Sequence, residues 1–332
     1  MTRALTLGSV ILLVACLLSL FLGSASLSPA EAWAALLHRF GVSDTDAPSM
    51  LRQSILFDLR LPRVLMAAVV GASLAVAGVV MQAVTRNDLA EPYLLGVSSG
   101  ASAGAVAVLT LLSAAAPVGL TLGAAMGALV SFGVLMLLLF GATLSATRVV
   151  LTGVLVGQLF SALTSLLLLA KGDADATRGV LFWLLGALGA ARWDTLVIVT
   201  VVAAVALPSL WILSRYLDTM GFGDGTATTM GVPATWLRVA VLVIVALLTA
   251  ATVSVVGAIG FIGLIVPHAV RMLIGPGHSR LIPLSAVVGA ILLVLSDALA
   301  RTLFAPQEIP VGVVTALIGV PSFFLILRRR QR

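Results

Sequence analysis

The chain has 332 residues, 61% hydrophobic and 10% charged, with a mean hydropathy of +1.19. A soluble fold of this length has no core large enough to hide so much apolar surface, so the composition excludes a soluble enzyme and assigns the chain to a membrane. The net charge of +6 does not indicate a nucleic-acid partner: 18 of the 19 basic residues are arginines scattered between apolar runs, with four crowded at Arg328, Arg329, Arg330 and Arg332, a topology pattern rather than a phosphate-binding stripe.

With about 20 residues required per crossing, apolar helices are predicted near 5–22, 64–84, 94–114, 118–140, 149–170, 196–213, 236–256, 282–300 and 309–327. The first carries the only cysteine, which rules out an internal disulfide. Leu13–Cys16 (LVAC) is similar to a lipoprotein cleavage box, but the apolar run continues to Leu22 and reads as an anchor. The loop 23–63 has room for a short surface helix over Pro29–Phe40. In the third helix Gly96, Gly100 and Gly104 recur every four residues, a face without side chains that another helix can approach closely. An apolar stub at 179–190 is too short to span and is expected to pack at the outer face.

The run GAIGFIGLIVP (257–267), followed by His268, is also too short to cross unaided. Glycines at 257, 260 and 263, with Pro267 as its end, predict a short tilted helix inside the protein, which brings the total to about ten transmembrane helices in an all-α protein. An even number puts both termini on one side, and the tail arginines assign that side to the cytoplasm. Eleven basic residues then fall inside (Arg3, Arg86, Arg148, Arg215, Arg238, Arg271, Arg280 and the tail) and eight outside (Arg39, Arg52, Arg60, Arg63, Lys171, Arg178, Arg192, Arg301). The longest inside loop is 214–238. Glycine and three threonines among its central positions lower helix propensity and argue against a firm helix there before a partner binds.

Chemistry-bearing motifs are sparse. No GxxxxGK[ST] phosphate loop occurs, and the only lysine, Lys171, lies in an outside loop. An ion-coupled carrier needs an ionisable residue at membrane depth. The predicted spans offer Asp297, four residues before Arg301 and on the same helix face, where the two can pair. His38, His268 and His278 fall outside the predicted spans without metal-ligand spacing, and no GxSxG or HExxH motif lies in a span. These observations predict no catalytic residue and no metal site. Arg60, Arg63 and Arg301 flank spans on the outer face, where topology does not ask for arginine, and interfacial snorkelling is the simplest use for them.

RLPR (60–63), Gly78–Gln82, TRNDLAEP (85–92), LLGVSSGA (94–101), GAIGFIGLIVPHAVR (257–271) and LSDALARTLFAPQEIPVGVVTALIG (295–319), in this order, resemble the permease subunits of FecCD-type ABC importers, which handle iron–siderophores, haem and cobalamin. The resemblance runs from about Leu56 to the C-terminus. It implies a single permease domain over 1–332 with pseudo-symmetric halves in the bacterial inner membrane. It also implies a homodimer of two permease copies, two ATPase subunits that carry ATP and Mg, and a periplasmic binding protein that delivers substrate; no cofactor is expected on this chain. Arg60, Arg63 and Arg301 are expected to receive carboxylates of the binding protein. The cytoplasmic coupling element falls in 214–238, with Met220, Gly223, Asp224, Ala227, Thr228, Gly231, Val232 and Pro233 at its motif positions; Thr228 departs where a basic residue is usual. The fifth and tenth helices, Thr147–Ala170 and Ile309–Leu327, are expected to line the path, with Ala146 and Thr147 as the inner gate. Thr147 reads equally as a helix N-cap next to Arg148. The expected substrate is a ferric siderophore, with haem or cobalamin as the alternative within the family and an ion-coupled secondary carrier as the alternative of another class.

Overall fold

A computed structural model describes residues 2–23, 33–35, 38, 49–111, 117–141, 144–171, 174–231 and 233–330. Most of the surface helix expected over Pro29–Phe40 and the coupling-motif residue Val232 therefore lie outside the described residues, as do most residues of the 23–49 loop. The described elements are helical: α1 (Thr2–Phe21), α2 (Leu61–Thr85), α3 (Val97–Leu111), α4 (Pro117–Leu139), α5 (Ala146–Lys171), α6 (Ala174–Leu184), α7 (Trp193–Ile212), α8 (Ser214–Met220), α9 (Asp224–Thr229), α10 (Ala234–Val256), α11 (Ile262–Ile274), α12 (His278–Thr302) and α13 (Val311–Arg330). A helical lead-in, Met50–Arg60, with a wider π turn in its second half, runs straight into α2.

Seven helical stretches are long and apolar enough to cross a membrane, and three shorter ones, in α3, α11 and α13, accompany them. Seven and three among the described residues are consistent with the expectation of about ten. α2 lies at the centre, buried along most of its length against α12, α11, α10 and α7. Two glycines let it sit there. A Cβ on Gly71 would stand 2.3 Å from the Gly289 carbonyl oxygen of α12, and one on Gly78 would stand 1.9 Å from that of Gly263 in α11. No larger residue fits at such backbone-to-backbone contacts, which is how apolar helices gain van der Waals energy when lipid offers no hydrophobic contrast.

The glycine-rich third helix packs in the same way, with one difference from expectation. Cβ atoms on Gly100 and Gly104 would come within 2.4 and 2.0 Å of the backbone oxygens of Gly127 and Gly123 in α4. Gly96 lies outside α3: it ends a 3₁₀ turn, Pro92–Leu95, in the left-handed conformation (φ 74°) that a residue without Cβ adopts cheaply. It abuts Ser131 of α4 and Val156 and Gly157 of α5. Those α5 positions are ten or more residues from Ala146, about 15 Å along the helix, so the segment after α2 turns back to half the depth of the bundle before α3 begins.

The short run at 257–268 also differs from expectation. Gly257–Gly260 is non-helical, and α11 starts only at Ile262 and continues through Pro267 to Ile274, which puts His268 inside the helix at 4% exposure. Pro267 removes one donor. The carbonyl it would have served, that of Gly263, is directed at Gly78 of α2, so the helix continues inside the protein. Two non-α-helical stretches, 86–96 and 257–261, thus lie between helices, and they meet. The Tyr93 hydroxyl donates to the Ile259 carbonyl and accepts from the Ile259 amide, both at 2.9 Å. Irregular backbone at membrane depth is stable only when its polar groups find such partners.

The 214–238 loop is more ordered than its composition predicts. α8 and α9 are helices of seven and six residues, with Gly223 between them at φ 101°. Burial overrides propensity here, since Met220 and Ala227 are 1% and 0% exposed. The α8 turn is also tied to the start of α12. The Asp218 carboxylate accepts from the His278 amide at 3.0 Å and contacts His278 Nδ1 at 2.6 Å, while Trp211 donates to the Ser279 carbonyl.

Candidate functional site

The polar groups of the bundle gather at its two ends. At the end assigned to the outside, three arginines from two distant parts of the chain converge: Arg60 and Arg63 from one, Arg301 from the other. Arg63 forms a bidentate contact with Asp297 Oδ1 (Nε 3.0 Å, Nη2 2.9 Å) and reaches Glu308 Oε2 with Nη1 at 2.8 Å. Arg301 pairs with Asp297 Oδ2 at 3.0 Å from one helical turn away, the pairing expected from the spacing. Asp297 is the one fully buried carboxylate among the described residues, and it is held between two guanidinium groups.

The same arginines close the end of α1. A helix C-terminus leaves its last carbonyls without helical donors and carries partial negative charge. Arg60 donates to the Leu20 carbonyl at 2.8 Å, and Arg301 donates to the carbonyls of Leu22 and Ser19 and to the Ser19 hydroxyl. Arg60 and Arg301 are consequently only 5% and 2% exposed, so neither snorkels to the surface as single-residue reasoning suggests. With Arg63, Glu308, Gly189 and Ala191 they line one cavity of about 280 Å³.

At the opposite end, Ala146 opens α5 and is half-buried, and Thr147 is exposed. The cap of α5 is Ser145, whose hydroxyl accepts from the Arg148 amide at 3.3 Å. The cap reading of Thr147 is thereby corrected, because the helix starts one residue before it. Sequence reasoning missed Arg238 of α10, which is buried and donates to the Leu144 carbonyl just before the expected gate.

Around the coupling motif, Met220 and Ala227 face inward, while Thr228 and Gly231 (φ 79°) are exposed. The large apolar side chains offered outward include Phe222 and Met230, at 73% and 60% exposure. Neither was singled out, because hydropathy alone does not separate an exposed apolar residue in a loop from a buried one. Gly223 faces the Arg86 guanidinium, 3.4 Å from where a Cβ would lie. The 86–95 segment carrying Arg86 is fixed in turn by Asp88, which pairs with Arg271 of α11 at 2.8 Å; Arg271 also donates to Gln82. No group of three potential metal ligands occurs among the described residues.

Among the described residues, a bundle of apolar helices with small-residue seams and its charged clusters at the ends defines a polytopic membrane permease. The model of the FecCD transport family matches residues 11–329, and the chain belongs to that family, whose curated relatives include permease proteins of iron-chelate and cobalamin import systems. It is 36% identical to the iron(3+)-hydroxamate import system permease protein FhuB of Bacillus subtilis (strain 168), over 98% of this chain and 85% of that one. It is also 36% identical to the vitamin B12 import system permease protein BtuC of Vibrio cholerae, over 95% and 91% of the two chains. A solved metal-chelate type ABC transporter in an inward-facing conformation superimposes with a TM-score of 0.87 at 30% identity, covering 99% of this chain and all of the other.

Proposed function

We propose that this chain is the permease of an ABC importer that moves a ferric siderophore inward, as a homodimer with two ATPase subunits that bind ATP and Mg and with a periplasmic binding protein. In this reading both termini are cytoplasmic, α5 and α13 line the path, Ala146 and Thr147 form the inner gate, and 214–238 meets the ATPase. The observation that carries the energy source is Asp297. A coupling carboxylate must load and release a cation, whereas Asp297 is buried between Arg63 and Arg301 at the far end of its helix. This supports the reading in which the driving force is supplied by a partner chain.

The outer cavity supports docking of the binding protein in a particular form. Arg60, Arg63 and Arg301 receive a carboxylate inside a recess rather than on a flat face. Charge at such a site contributes orientation and on-rate more than affinity, which suits a delivery protein that must leave again. Cobalamin, like haem, is the alternative within the same framework: an iron-hydroxamate import permease and a vitamin B12 import permease are each 36% identical to this chain.

The test is uptake into proteoliposomes by the complex with its ATPase and binding protein, offered 55Fe-hydroxamate and labelled cobalamin in parallel. Accumulation of the iron chelate alone, lost when the phosphate-loop lysine of the ATPase is replaced, is the expected result. Uptake that survives the loss of ATP hydrolysis but stops with an uncoupler overturns the ABC reading, and cobalamin accumulation overturns only the substrate.

A further inference from the structure

The residue between the break at 257–260 and α11 is Phe261, whose backbone lies in the left-handed region (φ 69°, ψ −23°). A bulky L-residue rarely occupies that region, and one that does is held there by its surroundings. The constraint here can be traced on both sides. On one side Tyr93 clasps the Ile259 backbone, and Pro92 fills the space beside Gly263, 2.9 Å from where a Cβ would be. On the other, Phe261 presses on α13. A Cβ on Gly319 would stand 2.8 Å from Phe261 Cβ and 3.0 Å from Phe261 Cγ, so the absent side chain of Gly319 is the seat for the base of the phenyl group. The opposite face of α13 carries Leu317, Val320 and Phe324, all exposed.

These contacts join into one line. The guanidinium of Arg86 lies against Gly223, at the start of α9; the segment from Arg86 to Leu95 leads to Tyr93; Tyr93 holds Ile259; and Phe261, two residues on, sits on Gly319. α11 belongs to the same body through Arg271 and Asp88. We propose that Phe261 is a positioning residue for transport: it sets the placement of α13, and movement of the α8–α9 element reaches the exposed face of α13 through the Tyr93–Ile259 clasp and the Phe261–Gly319 contact. The inference rests on the reading above, in which 214–238 meets the ATPase and α13 lines the path. A route of contacts carries coupling only where some element on it has two arrangements. The break supplies that element, because a residue held in a strained conformation between two helices is where a change of state releases strain.

Phe261→Gly tests this directly, since glycine accepts φ 69° without strain and so keeps the backbone while removing the side chain that fills the seat. Gly319→Ala is the complementary variant, which crowds the seat and keeps Phe261. Both are made in a Cys16→Ser, Leu155→Cys, Val320→Cys background, with nitroxide labels on the exposed faces of α5 and α13. The label distance is measured in the intact complex with its ATPase, nucleotide-free and with ATP–Mg–vanadate. In the parent the distance shifts with nucleotide. In Phe261→Gly the shift falls to about half or less while ATP hydrolysis continues, and in Gly319→Ala the nucleotide-free distance itself is displaced. A merely structural role changes thermal stability and leaves the nucleotide-driven shift intact, and that result overturns the proposal. If the parent shows no shift at position 320, the reading of α13 as a moving path helix fails and the proposal fails with it. A parent shift retained in full by Phe261→Gly sinks the proposal alone.

Discussion

Tyr93 and Ile259 are 166 residues apart, yet the phenol hydroxyl serves both backbone groups of Ile259 at once, at 2.9 Å each. One side chain from one break between helices thereby satisfies the backbone of the other. The pair fixes how the two broken elements sit against each other, and every consequence for gating depends on that relation.

Tyr93→Phe keeps the ring and removes the hydroxyl, leaving two backbone groups without a partner. Each unsatisfied buried group costs about 1–3 kcal/mol. The variant is expected to melt earlier in detergent and to show faster amide exchange confined to a peptide covering 257–261. Exchange at that peptide unchanged from the parent means that Ile259 is satisfied in another way.

Asp297→Asn leaves Arg63 and Arg301 facing each other across a neutral group. Removing one partner of a buried ion pair costs about 3–5 kcal/mol, and Arg301 also closes α1, so loss of the α1 docking on α12 should accompany the lower melting temperature. If Asp297 instead carries a coupling ion, the variant loses uptake with its melting temperature unchanged, which separates the two roles in one pair of measurements.

Two glycines predict opposite outcomes. At Gly104 a Cβ would stand 2.0 Å from a backbone oxygen of α4, so Gly104→Ala has to push two backbones apart and should lose about 1–3 kcal/mol. Gly133, on α4 itself, has nothing within 4 Å, and Gly133→Ala should stay within about 0.5 kcal/mol of the parent. Equal melting temperatures for the two variants would show that the α3–α4 seam is looser than the described packing.

Much of this arrangement is legible before any coordinates. Length and hydropathy predict the crossings, the four-residue glycine spacing predicts the close face of α3, and the i,i+4 spacing of Asp297 and Arg301 predicts their pair. What the sequence does not disclose is pairing between distant segments. Arg63 and Asp297 are 234 residues apart, and only the fold makes the isolated outer arginines into one cavity that also caps α1. The break at 257–260 escapes for another reason: its residues are as apolar as a helix, and the partner that makes it non-helical, Tyr93, belongs to a different segment. Pro267 misleads as an end signal because the donor it lacks is not needed where Gly263 meets Gly78.

Glu308 gives the sharpest test of the docking cavity. It lies on the rim, with its side chain 37% exposed, and occupies Arg63 Nη1 at 2.8 Å, so it stands where an incoming carboxylate of the binding protein would compete. Glu308→Gln removes the competing charge and makes the cavity more positive, while Asp297 still holds the other edge of Arg63. Opposite charge across an encounter surface raises the on-rate, and salt screens it. Association of the binding protein with permease in nanodiscs, followed by biolayer interferometry, should therefore be roughly threefold or more faster for Glu308→Gln at low salt, with the gain shrinking as salt rises. Stability should change little, because the lost pair is part-exposed and such pairs contribute about 1 kcal/mol or less. An on-rate equal to that of the parent at every salt concentration would place docking on another part of the outer face, and would leave Arg60, Arg63 and Arg301 with the capping of α1 and the neutralisation of Asp297 as their work.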